Sequence, residues 1–213
     1  MIKKAYLFDL DGTLLDTAQD FQRILNLLRS DHQLAPLSYE TVRPYAALGS
    51  KAMIQAAFDH ITDETIKTQL QKQFLDIYDH NPVVATTYFP SVQETLQFLI
   101  KNNIPFGIVT NKHEQYTKKI IAQFPELQHS RCVICSDNVT HIKPHAESLF
   151  LAIQQLGYAV EDCVYIGDTL VDIETARNAG MACIAVTYGY GLLTSDILSQ
   201  ANDHIAELGK LLR

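Results

Sequence analysis

Hydrophobic runs of about a strand's length recur along this chain. AYLFD (5–9), IPFGIVT (104–110), RCVIC (131–135), DCVYIGD (162–168) and ACIAVT (182–187) are short, continuous and rich in Val and Ile, the pattern of strands covered on both faces of a parallel sheet. Between the later runs the apolar positions switch to helical spacing, in SVQETLQFLIKNN, EQYTKKIIAQF, AESLFLAIQQLG and TLVDIETARNAG. Strand alternating with helix predicts βαβ units and an α/β fold built on a Rossmann-like parallel sheet.

The rhythm fails once. Within the long gap after the first run, residues 15–83 hold four helical segments and no strand pattern: TAQDFQRILNLLRSDHQL, SYETVRPYA, SKAMIQAAFD and DETIKTQLQKQFLDIYDHN. In the first of them Phe21, Ile24, Leu25 and Leu28 follow the i, i+3, i+4, i+7 spacing of one helix face. The expected organisation is therefore a catalytic core of residues 1–14 plus 84–213, with an all-α helical-bundle cap, residues 15–83, inserted in it. Asn81-Pro82 and Pro90 punctuate the return. Ligands of open parallel sheets bind outside the carboxyl ends of the strands. An insertion leaving just after the first strand stands over that place and reads as a lid.

Composition narrows the partners. A length of 213 residues suits one ordinary domain or a core with a modest insertion, and 47% hydrophobic with 19% charged residues is the balance of a compact globular chain. The formal net charge of -7, with no basic run, argues against nucleic acid. No segment approaches the roughly 20 uninterrupted apolar residues of a membrane span. The opening MIKKAYLFDLDG is broken by Asp9 and lacks a small-residue cleavage pattern. A cytoplasmic protein is expected. The four cysteines, Cys132, Cys135, Cys163 and Cys183, lie in or beside strand-like runs and read as buried thiols. A zinc or redox pair at Cys132 and Cys135 is disfavoured: no second ligand pair follows, and positions three apart on a strand point to opposite faces.

The chemistry gathers at the strand ends. FDLDGT puts Asp9 and Asp11 just after the first strand. Thr110 and Asn111 close the second, Lys143 follows the third, and Asp168 and Asp172 follow the fourth. Like charges at the end of a buried strand are costly unless a cation or a shared proton relieves them. Carboxylates and a lysine in one cleft are what a divalent cation and a phosphoryl group require. Two simpler roles stand beside these. Asp16-Thr17 serves equally as a helix cap or as part of a lid hinge, and Lys112 with His113 reads as a loop and helix start outside the catalytic set.

The stretches FDLDGTLLDT, VTNK, HIKPHAESL and YIGDTLVDI, in this order, resemble the four motifs of the haloacid dehalogenase superfamily. The resemblance implies a magnesium-dependent phosphatase acting on a small phosphorylated metabolite. Asp9 would be the nucleophile forming an aspartyl-phosphate, and Asp11 the general acid and base. Mg2+ would be held by Asp9, the backbone carbonyl of Asp11 and Asp168, with Asp172 behind them holding a metal-bound water or Lys143. Thr110, the Asn111 amide and Lys143 would bind phosphate oxygens. The cap stretch TVRPYAALGSKAMI is similar to the specificity loop of the phosphoglycolate phosphatase branch, which makes Arg43, Gly49, Ser50 and Lys51 candidates to meet the rest of the substrate. Phosphoglycolate is the expected substrate. N-acetylmuramic acid 6-phosphate is the alternative, ahead of a β-phosphoglucomutase-like mutase, a phosphonatase using Lys51 as a Schiff base, or a non-catalytic binding protein of the same fold.

Overall fold

The computed structural model describes residues 3–212, so Met1 and Ile2 of the opening segment and Arg213 at the end of the expected core lie outside the described residues. A six-stranded sheet forms the centre. Its strands are β1 (Ala5–Phe8), β4 (Phe106–Val109), β5 (Val133–Ile134), β6 (Cys163–Gly167), β7 (Ala182–Val186) and β8 (Asp203–Ile205), in the order β5-β4-β1-β6-β7-β8. All five pairings are parallel.

The two faces of the sheet can be read off β1. Tyr6 and Phe8 belong to one buried cluster, Ala5 and Leu7 to the other, as the two-residue period of a strand requires. Helices α5 (Val92–Lys101) and α6 (Glu114–Ile121) cover the first face through Leu96, Leu99 and Ile120. Helices α7 (Glu147–Leu156) and α8 (Leu170–Ala179) cover the second through Leu149, Ala152, Ile173 and Ala176. Such double coverage explains why the central strands are apolar at every position.

Between β1 and α5 stand four further helices: α1 (Ala18–Asp31), α2 (Tyr39–Ala46), α3 (Gly49–Ala57) and α4 (Glu64–His80). Ser38 and Asp63 start α2 and α4 by accepting the N–H of Thr41 and Thr65. Phe21, Ile24, Leu25, Leu28, Phe58 and Phe74 are buried among these helices, and their cluster runs without a break into the Tyr6/Phe8 face of the sheet. Full burial of each such side chain contributes about 1.5–3 kcal/mol.

Three strands carry no apolar pattern and were not anticipated. At the ends of the helical block β2 (Leu15–Asp16) pairs antiparallel with β3 (Thr87–Tyr88), a two-residue ribbon too short for alternation to register. At the sheet edge β8 has two exposed polar residues in three, as a short edge strand tolerates. All four cysteines are buried and free.

Candidate active site

The sheet leaves β1 toward β4 on one side and β6 on the other, so the chain reverses direction around β1. This topological switch point opens a crevice at the carboxyl ends of the strands. Asp9, Thr110 and Asp168 each directly follow the last residue of β1, β4 and β6. Parallel pairing is the reason they meet.

Lys143 holds the crevice together. Its side chain is 4% exposed, and its ammonium lies 3.0 Å from Asp9 Oδ1 and 2.8 Å from Asp172 Oδ1. Tyr165 accepts from it at 2.8 Å and donates to Asp172 at 2.9 Å. Burial pulls the Lys143 pKa down, but Asp172 and Asp9 more than offset this and hold it above its ordinary value. Asn111 fastens the lysine's loop to β4, its side-chain amide exchanging bonds with the N–H and C=O of Lys143 at 3.0 and 3.1 Å.

Asp172 is fully buried. Thr169-Leu-Val-Asp172 forms a capping box at the start of α8, with Asp172 Oδ2 accepting from the Thr169 N–H and hydroxyl. That leaves Oδ1 facing Lys143. The T-x-x-D spacing in the sequence is the local signal for this placement.

Asp168 is enclosed by backbone. Its Oδ2 accepts the N–H of Tyr190 at 2.7 Å and of Gly191 at 3.3 Å, and its Oδ1 accepts the Thr13 hydroxyl at 3.1 Å. Gly12 sits at φ +88°, where a Cβ would come within 2.3 Å of Asp168 Oδ2; only glycine allows both the turn and the approach. Burial pushes Asp168 up to about 7, with the Asp172 charge adding to it. Burial also pushes Asp9 well above the usual carboxylate range; Lys143 opposes that, while Asp172 and Asp168 reinforce it.

Oxygens of Asp9, Asp168 and Asp172 all lie within 4.8 Å of one another. With Lys143 as the one ammonium among three carboxylates, the cluster keeps a surplus of negative charge on oxygen donors. A hard divalent cation fits that donor set.

Asp11 meets the helical block. Its carboxylate accepts from Lys112 at 2.9 and 3.0 Å and from Thr17 at 2.6 Å. The Lys112 ammonium, its side chain 8% exposed, also lies 5.0 Å from the ring centroids of both Phe21 in α1 and Tyr78 in α4. Lys112 therefore belongs to the site, contrary to its reading as loop and helix start. The capping role for Asp16-Thr17 is not found either: Thr17 makes no side-chain cap bond and turns to Asp11, while Asp16 accepts from Gln19, Tyr39 and Tyr190.

A cavity of about 500 Å³ opens between these residues and the helical block. Its floor includes Asp9, Asp11, Thr110, Asn111 and Lys143; its roof includes Pro44, Ala47, Leu48, Met53, Phe74 and Tyr78. Of the four cap candidates, Gly49 and Ser50 line it. Arg43 instead donates from one terminal nitrogen to the carbonyls of Tyr188, at 2.5 Å, and Gly189, so it fastens α2 to the loop behind Asp168. Lys51 is exposed and is not among the lining residues. The Tyr78 hydroxyl is buried without a hydrogen-bond partner among the described residues.

The profile of the family described as haloacid dehalogenase-like hydrolase matches residues 6–186. The chain belongs to that family. Among its relatives, an N-acetylmuramic acid 6-phosphate phosphatase from Pseudomonas aeruginosa is 40% identical over 187 residues, covering 88% of this chain and 83% of the relative. A phosphoglycolate phosphatase from Xanthomonas campestris pv. campestris is 37% identical over 204 residues, covering 96% and 92%. In solved structures, a predicted phosphoglycolate phosphatase from Haemophilus somnus superposes with a TM-score of 0.86 at 25% identity, over 100% of this chain and 97% of the other.

Within this haloacid dehalogenase-like site the strand-end residues were legible and the loop residues were not. Thr13, Thr17 and the Tyr188–Gly191 loop carry no period or charge pattern, and they reach Asp168 or Asp11 by chain reversals. Lys112 had one available signal, its position just beyond the carboxyl end of β4. Among the described residues no helix is long and apolar enough to cross a membrane.

Proposed function

We propose that this protein is a magnesium-dependent phosphatase that hydrolyses a small phosphomonoester through an aspartyl-phosphate, with residues 15–83 acting as its lid domain. The observation that carries the reading is Asp9, held 3.0 Å from Lys143 and beside Asp168, with Asp11 alongside on the same loop. Asp9 attacks phosphorus, forming a new P–O bond as the ester P–O bond breaks, and Asp11 protonates the departing oxygen. Asp11 then takes a proton from water as that water attacks phosphorus, and the P–O bond to Asp9 breaks to release phosphate. Lys143 offsets charge on the phosphoryl oxygens and opposes the burial that disfavours the ionised form of Asp9. Thr110 and the Asn111 amide hold the remaining oxygens. Asp9, Asp168 and the Asp11 carbonyl are the groups that would hold Mg2+, which when bound supplies charge neutralisation at the phosphoryl group.

Substrate choice falls to the cavity. Its volume lies in the range that encloses ligands well beyond two carbons, and its roof is apolar. Those features favour N-acetylmuramic acid 6-phosphate, whose ring, acetamide and lactyl groups present apolar surface. Phosphoglycolate is the second reading, supported by Lys112 as a cation for its carboxylate within the same cavity. Specificity constants for the two esters with Mg2+ decide between them. Phosphate release from either that survives Asp9→Asn or complete metal removal would sink the mechanism itself.

A further inference from the structure

A second group of metal-ligating side chains lies outside the crevice. His141, His145 and Glu147 offer ligand atoms all within 4.8 Å of one another, two imidazoles and a carboxylate on the loop between β5 and α7. The separation from His141 Nδ1 to Glu147 Oε2 is 3.0 Å, and from His145 Nδ1 to the same oxygen 4.0 Å. Two ligands of one tetrahedral zinc ion sit roughly 3.3 Å apart, given bonds of about 2.0 Å. One pair is at that spacing and the other closes with a small side-chain rotation.

The group is organised ahead of binding. Glu147 is held by the backbone N–H groups of Thr140 and His141, at 2.8 and 3.0 Å, so its carboxylate cannot swing to solvent without losing both. His145 Nδ1 accepts the N–H of Glu147 at 3.2 Å, which puts the ring proton on Nε2; the side-chain rotation that brings Nδ1 to an ion would exchange this long bond for the metal bond. The two rings lie 4.6 Å apart. Both histidines are exposed, so an ion reaches them directly.

We propose that His141, His145 and Glu147 form a separate site for a late first-row divalent cation of the Zn2+ class. Two imidazoles with one carboxylate select such ions over Mg2+, whereas the all-oxygen cluster at Asp9 and Asp168 has the opposite preference. Since His141 and His145 flank Lys143 by two residues on either side, the ion would span the base of the loop that carries it.

The test is a Zn2+ titration of the full chain in millimolar Mg2+, read by competition with a chromogenic chelator, with Co2+ absorption as a second readout. Wild type should take up Zn2+ that Mg2+ does not displace and give the visible bands of Co2+ bound through nitrogen. His141→Ala with His145→Ala should weaken that binding by roughly tenfold or more, since loss of mere supporting partners already costs 10–100-fold. Turnover of p-nitrophenyl phosphate in Mg2+ alone should stay near wild type, which separates this site from the catalytic one. Equal Zn2+ affinity and Co2+ spectra in wild type and the double variant would overturn the proposal, as would Zn2+ binding that disappears in Asp168→Asn and not in the histidine variant.

Discussion

The floor and the roof of the cavity are built on opposite principles. On the floor, polar groups are buried and tightly partnered: Asp172 takes bonds on both oxygens, Asp168 is enclosed by two N–H groups and a hydroxyl, and Lys143 bridges Asp9 and Asp172. On the roof the lining is almost entirely apolar, and its buried hydroxyl, Tyr78, has no partner. A floor with every dipole already aimed supplies electrostatic stabilisation without reorganising. An apolar roof is free to sort ligands by shape. On the proposed function, chemistry belongs to the sheet edge and selection to the helices.

The largest break in that division is Asp9→Asn. Turnover of both a generic ester and the physiological substrate should fall by roughly 10⁴-fold or more, while the melting temperature holds, because removing one of three clustered carboxylates relieves repulsion. A loss confined to one substrate would assign Asp9 to selection. Lys112→Met comes next. With the cation that joins Asp11 to Phe21 and Tyr78 gone, kcat should drop about 100-fold, within the span of acid–base contributions, and the pH–rate profile should change shape. An effect on KM alone would move Lys112 to the roof.

Asp20 tests the joint between the two regions. Fully buried in the first turn of α1, it accepts the N–H groups of Val84, Ala85 and Thr86 and the Thr86 hydroxyl, clasping the chain where it returns to the core. Asp20→Asn should cost about 2 kcal/mol of folding stability, measured by urea unfolding. Burial raises the Asp20 pKa, but the Val84 N–H and its companions outweigh burial and hold it below the ordinary value. Its stabilisation is therefore complete above the unfolded carboxylate value, about 4, and is lost as the pH falls below that through the depressed folded value. Acid unfolding of Asp20→Asn should lack this component; an unchanged acid limb would remove the clasp from the account.

The smallest expected effect is that of Tyr78→Phe. Generic-ester turnover should stay within about twofold and stability should rise slightly, since an unpaired buried hydroxyl is removed. The KM for N-acetylmuramic acid 6-phosphate should likewise stay within about twofold, because the buried hydroxyl does not face the ligand. Equal behaviour of wild type and variant on both esters would leave the roof selecting by shape alone.

How much of this was readable beforehand follows the same line between floor and roof. Asp9, Thr110 and Asp168 were placed by position, because a strand's last residue is visible in an apolar run and parallel strands share one carboxyl edge. Asp172 follows from helix spacing and the capping box. Arg43 and Lys51 were candidates because the cap stretch TVRPYAALGSKAMI is similar to a family specificity loop, yet Arg43 turns to the backbone of residues 188 and 189 and Lys51 is exposed and does not line the cavity. Charge type says what a side chain can bind and nothing about which distant carbonyl it will meet.

By itself, the sequence determined five of the six strands of the central sheet, the helices that cover them and the convergence of acids and lysine at one edge, since each depends on local period and on the parallel rule. Tertiary structure decided the rest. Lys112 reaches Asp11 across 101 residues and Arg43 reaches Tyr188 across 145, contacts that no local pattern encodes. They arise because the helical block folds back onto the strand ends, and the same closure shapes the cavity between them.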